Sequence, residues 1–423
     1  MNWRLPFSKW LPEYKKPGIV RADVLAGLTG AIVVMPQGIA FALLAGMPPQ
    51  YGLYAAMLPC LIAALFGSSR LMVTGPANAI SLTTMALITP LAIPESSQYV
   101  GYVLTLSFLV GVLQLALGIG KAGKWVEKIP HSVIVGFTVG AAILIINSQL
   151  GSLLGVSIPR GKSVIETITA VTNAMLHQQW HVTAPVLVLI TLIVIRIWRP
   201  LNRFVPAMLV AVILGSISAS LLETFLPTIE VFKRVEDIPG ALPPLSYPDL
   251  SADTLQKLFS AALIMTLLAS TEAMAIARAI ALKTKDNFNA NQEFIGQGLA
   301  NVCGAFFSAY PASGSFNRTG VNLASGAKTP LSAICAAIFL VILLAFVSPL
   351  AKYIPYVVIS SLLLVVAWNL IDLKQIRHEI QIGPSAWIPM LITGIGTITI
   401  PLEWAILGGI LTSVIASYLF KKH

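Results

Sequence analysis

Glu272 and Arg318 are the ionisable residues that stand well inside apolar stretches of this 423-residue chain. Insertion scales put the cost of a charge at the centre of a membrane helix at about 2.5–3.5 kcal/mol, so such residues mark function or a buried ion pair. Arg318 offers up to five donors in a rigid fork, suited to a planar or tetrahedral oxyanion. Glu272 lies in Leu267-Leu-Ala-Ser-Thr-Glu-Ala-Met-Ala275, among small residues that admit a close backbone or water. Desolvation disfavours the charged form of a carboxylate and a nearby arginine favours it. Glu272 is therefore a candidate proton-exchanging group, with a purely structural pair to Arg318 as the competing reading. Arg318 falls in a polar break, Ala312-Ser-Gly-Ser-Phe-Asn-Arg-Thr319, and a second break, Val73-Thr-Gly-Pro-Ala-Asn-Ala-Ile80, interrupts an earlier apolar stretch. Backbone groups that lose helical partners in such a break must be satisfied by protein, water or ligand, so breaks usually line a cavity. Half-helices starting at about Pro76 and Phe316 would aim unpaired N–H groups and positive dipole ends at one point, which favours an anion. A cation site would want several carboxylates, and Glu272 is the one on offer.

The elements that must hold these residues are membrane spans. The chain is 56% hydrophobic and 10% charged, with mean hydropathy +0.83, far from the roughly 25% charged content of a soluble domain. At roughly 20 apolar residues per crossing, fourteen segments emerge: 24–45, 50–67, 76–92, 98–119, 130–150, 183–197, 204–222, 258–280, 292–308, 315–325, 329–348, 354–371, 385–400 and 403–420. The third and tenth are short and begin at the two breaks. Seven segments per half is the count of an inverted repeat, so the expected fold is an all-α polytopic membrane protein in a 7+7 arrangement with segments 3 and 10 as broken half-helices. The expected divisions are an N-terminal tail over 1–23, a first repeat over 24–222, an extracytoplasmic connection over 223–257 and a second repeat over 258–420. With the N-terminus inside, twenty of the 27 lysines and arginines fall on the cytoplasmic side, as the positive-inside rule requires. Both termini are then cytoplasmic, in a multi-pass plasma (inner) membrane protein.

The net charge of +10 is spread in short clusters between apolar runs, with no aromatic-interleaved basic face, so no nucleic acid is expected. No small-residue cleavage site follows the first segment, which reads as an uncleaved span. Cys60, Cys303 and Cys335 all fall inside spans and build no disulfide framework. Gly118-Ile-Gly-Lys-Ala-Gly123 matches a dinucleotide fingerprint without the strand that must precede it, and Asn317-Arg-Thr319 matches a glycosylation acceptor within an apolar segment. Gly136-Phe-Thr-Val-Gly140 reads as a helix-packing face. No serine, histidine and acid set or metal-ligand set lies within the spans, so neither an enzyme nor a metal or cofactor site is expected.

Several stretches resemble the SulP (sulfate permease) anion transporters: Met35-Pro-Gln-Gly-Ile-Ala-Phe-Ala42, Pro48-Pro-Gln-Tyr-Gly-Leu-Tyr54, Phe66-Gly-Ser-Ser-Arg70 with Thr74-Gly-Pro76, Ser270-Thr-Glu-Ala-Met-Ala275, and Gly314-Ser-Phe-Asn-Arg318 with Gly326-Ala-Lys-Thr329. The family includes bacterial and plant sulfate permeases, cyanobacterial bicarbonate transporters and animal anion exchangers. The resemblance implies a core domain from segments near 1–4 and 8–11, a gate domain from the rest, and broken third and tenth helices that meet at the substrate. It implies that Gln37 and Phe41 line an anion pocket. Thr74, Ala77 and Asn78 in the first break and Ser315, Phe316, Asn317 and Arg318 in the second complete the expected substrate-binding set. Ala77 stands where some relatives carry an aromatic residue, and Glu272 matches an acidic position used for proton or sodium coupling.

Sodium-coupled relatives pair that acid with a hydroxyl one turn later, whereas this chain has Ile276. Losing an oxygen ligand favours H+ over Na+ as the coupling ion. The expected function is proton-coupled sulfate uptake by an elevator-type alternating-access mechanism. Sodium-dependent bicarbonate symport and dicarboxylate transport remain open, with an anion channel behind them. The expected partners are a small inorganic anion and membrane lipids, with a homodimer left open. Family members usually continue into a cytoplasmic STAS domain, and none is expected after Lys421-Lys-His423.

Overall fold

The computed structural model describes residues 6–123, 130–156, 158, 164–177, 180–201, 205–225, 232–235, 242–286, 288–400 and 402–420. The start of the 239–244 proline-glycine run and several of the counted basic residues, Lys124, Lys128, Arg160, Lys162 and Arg203 among them, lie outside the described residues. Each of the fourteen apolar stretches carries a helix. In chain order these are α1 (Ile19–Leu44), α2 (Pro49–Phe66), α3 (Asn78–Ile88), α4 (Ser97–Ile119), α5 (His131–Leu154), α7 (Thr183–Leu201), α8 (Ala207–Phe225), α9 (Ala252–Thr284), α10 (Ala290–Ala305), α11 (Phe316–Ala324), α12 (Leu331–Val347), α13 (Tyr356–Leu370), α15 (Pro384–Thr399) and α16 (Leu402–Leu419). Among the described residues two further helices, α6 (Val164–Leu176) and α14 (Leu373–Ile382), fall between them, with a 3-10 helix at Pro6–Lys15 ahead of α1 and another at Ser348–Tyr353 between α12 and α13. Eight helical runs among the described residues are long and apolar enough to cross a bilayer, the last being Tyr356–Ile382 across α13 and α14.

Boundaries depart from the apolar segments where capping extends a helix past its apolar part. α1 starts at Ile19 rather than 24, after Gly18 in the left-handed region at φ +85°. α9 runs 33 residues because Ser251 caps its start and its first turns continue through the Asp253–Lys257 ion pair. The tail over 1–23 is accordingly helical for much of its described length. α3 starts at Asn78, two residues after the expected Pro76, while α11 starts at Phe316 as expected.

The helices form two compact units interleaved along the chain. One holds residues 1–128 and 236–351, the other 129–235 and 352–423. In the first unit, α1 packs on α2 and α12, and α4 on α10. Small residues let backbones approach within these pairs, the usual basis of helix association where both faces and lipid are equally apolar. A Cβ on Gly52 of α2 would lie 1.8 Å from the Gly38 carbonyl oxygen of α1, and one on Gly111 of α4 would lie 2.6 Å from Val302 N of α10. In the second unit, α5 packs on α15 through Gly136, whose Cβ would lie 2.1 Å from Met390 O, and Gly140, beside Thr397 and Gly394. α7, α8 and α13 close around Leu187, Ala211, Val358 and Leu362. The two strands in the described residues, β1 (Thr74–Gly75) and β2 (Ser313–Gly314), belong to the first unit and pair antiparallel, Thr74 opposite Gly314 and Gly75 opposite Ser313.

Candidate functional site

The two breaks satisfy each other. Breaking a helix at Gly75-Pro76 and at Ser313-Gly314 strands N–H and C=O groups where water is scarce. The β1–β2 pair accounts for part of them, and Ser315 N extends it to Val73 O at 3.0 Å. α11 supplies side chains for the rest of the first break. Thr319 Oγ1 accepts from Val73 N at 3.0 Å, Asn322 Nδ2 donates to Leu71 O at 3.0 Å, and Arg318 Nη1 donates to Thr74 O at 2.6 Å. Residues 318, 319 and 322 share one face of α11 by their helical spacing.

Arg318 is 5% exposed. Its other terminal nitrogen donates to Ala56 O at 3.3 Å and to Cys60 Sγ at 3.7 Å. The guanidinium thus joins α11 to α2 and to β1. It occupies the space that Gly75 leaves open, because a Cβ there would lie 1.9 Å from Nη1, and the φ of +155° also suits glycine. Arg318 makes no ion pair with Glu272. Glu272 is half-buried, and its Oε2 is buried without a hydrogen-bond partner. An ionised carboxylate oxygen left so is expensive. The structural pairing of these two charges weighed from the sequence is therefore absent.

Each short helix starts within three residues of the strand pair. The first intrahelical bonds are Ser81 N to Ala77 O in α3 and Thr319 N to Ser315 O in α11. The N–H groups of Ala79, Ile80, Phe316 and Asn317 precede them and have no helical acceptor. Among the candidate residues, Thr74, Ala77, Asn78 and Ser315 are buried, Asn317 is half-buried and Phe316 is exposed. Ser315 caps α11 by accepting from Arg318 N at 3.4 Å, and Asn78 Oδ1 is a buried acceptor without a partner. Gln37 and Phe41 are buried on α1, which packs against both α3 and α11. α9, which carries Glu272, packs against α3 and β2, where Ser313 Oγ donates to Ala269 O at 2.7 Å. The first unit therefore carries every candidate residue: on α1, which packs against α3 and α11, on α9, which packs against α3 and β2, and at the two breaks themselves. Their arrangement presents first-turn amides, two dipole ends and a buried cation, all favourable to an anion.

Two features escaped the sequence reading. Asp23 is fully buried in α1 and accepts from Lys328 N (2.6 Å), Thr329 N (3.0 Å) and Thr329 Oγ1 (2.5 Å), which fixes the turn before α12. Its place beside the N-terminal tail disguised it. The buried polar residues of α10 also went unremarked, although their four-residue spacing was visible. Among the described residues, no cluster of three or more histidine, cysteine or acidic side chains is placed to hold a metal ion.

Residues 20–419 match the model of the sulfate permease family. Sulfate transporter 4.1, chloroplastic, of Arabidopsis thaliana is 31% identical over 428 residues, covering 99% of this chain and 60% of its own length. Sulfate transporter 2.1 of the same plant is 32% identical over 427 residues, with 98% and 62% covered. The putative sulfate transporter YvdB of Bacillus subtilis is 28% identical over 363 residues, with 85% and 66% covered. The chain spans about three-fifths of the length of these plant relatives. Among solved structures, the transmembrane domain of a cyanobacterium bicarbonate transporter, BicA, superposes with a TM-score of 0.81 at 27% identity, covering 94% of this chain and 98% of that one. The murine Slc26a9 anion transporter in the inward-facing state gives 0.88 at 22% identity, covering 99% and 72%, a likeness of fold alone.

Proposed function

The chain belongs to the sulfate permease family, and from that premise we propose that it is a secondary active transporter that takes up sulfate together with protons. The observation that carries the anion reading is the junction of the two breaks, where two short helices start beside one strand pair and Arg318, on the second of them, lies buried against β1. In this reading the anion binds at the first-turn N–H groups of α3 and α11, flanked by Asn78, Ser315 and Asn317, with Gln37 and Phe41 on α1 closing the pocket. Arg318 contributes its charge while its donors hold β1 and α2, so it acts through the field and the frame. Amide donors of this kind suit a tetrahedral oxyanion that keeps its charge at neutral pH.

Glu272 is the proposed coupling group. Its buried oxygen has no partner to stabilise the ionised form. Taking up a proton there removes a negative charge from the neighbourhood of the anion and favours the loaded state. The first unit, which carries the site, would then move as the elevator against the second, in a cytoplasmic-membrane protein with both termini inside. Sodium-coupled bicarbonate uptake is the second reading, favoured by the likeness to the BicA membrane domain. Uptake of labelled sulfate into proteoliposomes, competed by bicarbonate and fumarate with and without pH and sodium gradients, separates the two. Sulfate uptake driven by an inward proton gradient supports the proposal. No sulfate uptake under either gradient, with labelled bicarbonate taken up only when sodium is supplied, overturns it.

A further inference from the structure

Beyond Asn291 and Gln292 in its first turn, α10 carries one buried polar row in a small and apolar helix. Glu293, Gln297 and Asn301 recur every fourth residue, a drift of about 40° per step around the axis. All three are buried, at 1%, 0% and 0% exposure. Each reaches a different point of the chain around the breaks. Glu293 Oε2 accepts from Ser68 N and Ser69 N, both at 2.7 Å, in the loop that leads to β1. Gln297 Nε2 donates to Thr74 Oγ1 at 2.7 Å and to Glu293 Oε1 at 3.1 Å. Asn301 clasps the backbone of Ala312 in both directions, Nδ2 donating to its oxygen at 3.0 Å and Oδ1 accepting from its nitrogen at 2.8 Å.

Polar rows on membrane helices commonly join one helix to another. These bonds run chiefly to the non-helical chain on either side of the strand pair instead. A pair with two residues per strand has little to fix its own register, and a slip of one residue turns every side chain to the opposite face. Thr74 is held at its hydroxyl by Gln297 and at its carbonyl by Arg318, while Ala312 is held at both backbone groups by Asn301.

We infer that this face of α10 is a template that fixes the register of β1 against β2, and with it the placement of the two short-helix starts. Glu293, Gln297 and Asn301 are positioning residues, on a helix that carries none of the candidate anion ligands. Hydrogen–deuterium exchange on the full chain in detergent micelles tests this directly. Asn301→Leu removes the acceptor of the Ala312 N–H, and exchange over residues 312–314 should accelerate at least about tenfold. Unchanged exchange there overturns the inference. Gln297→Leu gives a second test if Asn301→Leu does not fold, with the same acceleration expected over residues 73–75.

The transport arm rests on the sulfate reading proposed above. Gln297→Leu should raise the KM for sulfate about tenfold with little change in maximal rate per folded protein, and should add nothing in a Thr74→Val background. A KM effect undiminished in that background means that Gln297 does not act through Thr74 and contradicts the template. A wild-type chain that takes up no oxyanion would defeat the functional reading while leaving the exchange result to decide the template.

Discussion

Replacing Arg318 separates its two proposed contributions. Its guanidinium donates to two buried carbonyls, Thr74 O at 2.6 Å and Ala56 O at 3.3 Å, and to Cys60 Sγ. Hydrogen bonds from a charged donor contribute about 1.5–3 kcal/mol each, so Arg318→Ala should cost about 3–6 kcal/mol of stability from the carbonyls alone. Losing the charge acts on the anion. At an effective dielectric of about 20 and a separation of one helical turn, about 5.4 Å, a unit charge contributes at most about 3 kcal/mol. That corresponds to roughly a hundredfold in affinity. Arg318→Lys keeps the charge but places a single ammonium where a fork reached two elements. Thermal unfolding and sulfate binding by the purified chain in nanodiscs give both quantities. Alanine should lose stability and affinity together, whereas lysine should lose most of the stability and retain most of the affinity. Wild-type affinity in the alanine variant, or equal loss of affinity in both variants, would refute the argument from charge.

Three further outcomes are expected. Glu272→Gln should abolish the dependence of sulfate uptake on a pH gradient while leaving downhill exchange measurable; retained dependence would assign coupling to another group. Gly52→Val places a branched side chain where even a Cβ would lie 1.8 Å from Gly38 O, so α1 and α2 must separate, and a loss of about 3 kcal/mol, the upper end of the usual overpacking cost, should appear in thermal unfolding. Asp249, ahead of α9, is held below its ordinary 3.8 by hydrogen bonds from the Thr254 hydroxyl and Ser251. A carboxyl whose pKa falls on folding stabilises the protein above its unfolded value, and that contribution is lost as the pH drops through the folded value. The melting difference between wild type and Asp249→Asn should therefore be present at neutral pH and shrink on acidification below 3.8.

Helix positions were legible wherever an apolar run of span length was uninterrupted, because lipid-facing and core-facing positions are both apolar and the run itself is the signal. α11 begins at Phe316 because Ser315 is a capping residue that the sequence displays. α3 begins later than Pro76 because the chain there is still extended beside β2, a pairing between residues some 240 positions apart that two-residue strands do not announce. α6 and α14 were missed because each is short and mixes polar with apolar residues, so neither reaches the apolar length of a span. For the site, the motif stretches pointed to the breaks, and α1 packs on α3 and α11 while α9 packs on α3 and β2. What Arg318 touches was not legible. Residue type told that a buried guanidinium needs acceptors, but carbonyls of α2 and β1 meet that need through tertiary packing alone.

In the proposed function an oxyanion binds at the junction of the two breaks. Anomalous diffraction from crystals of the chain grown with selenate, a heavier tetrahedral analogue of sulfate, tests it most directly. One anomalous peak is expected, bordered by the first turns of α3 and α11, at Asn78 and at Phe316 and Asn317, and lost in Arg318→Ala. Selenate bound elsewhere with that junction empty, or a peak there that survives Arg318→Ala at full occupancy, would contradict it.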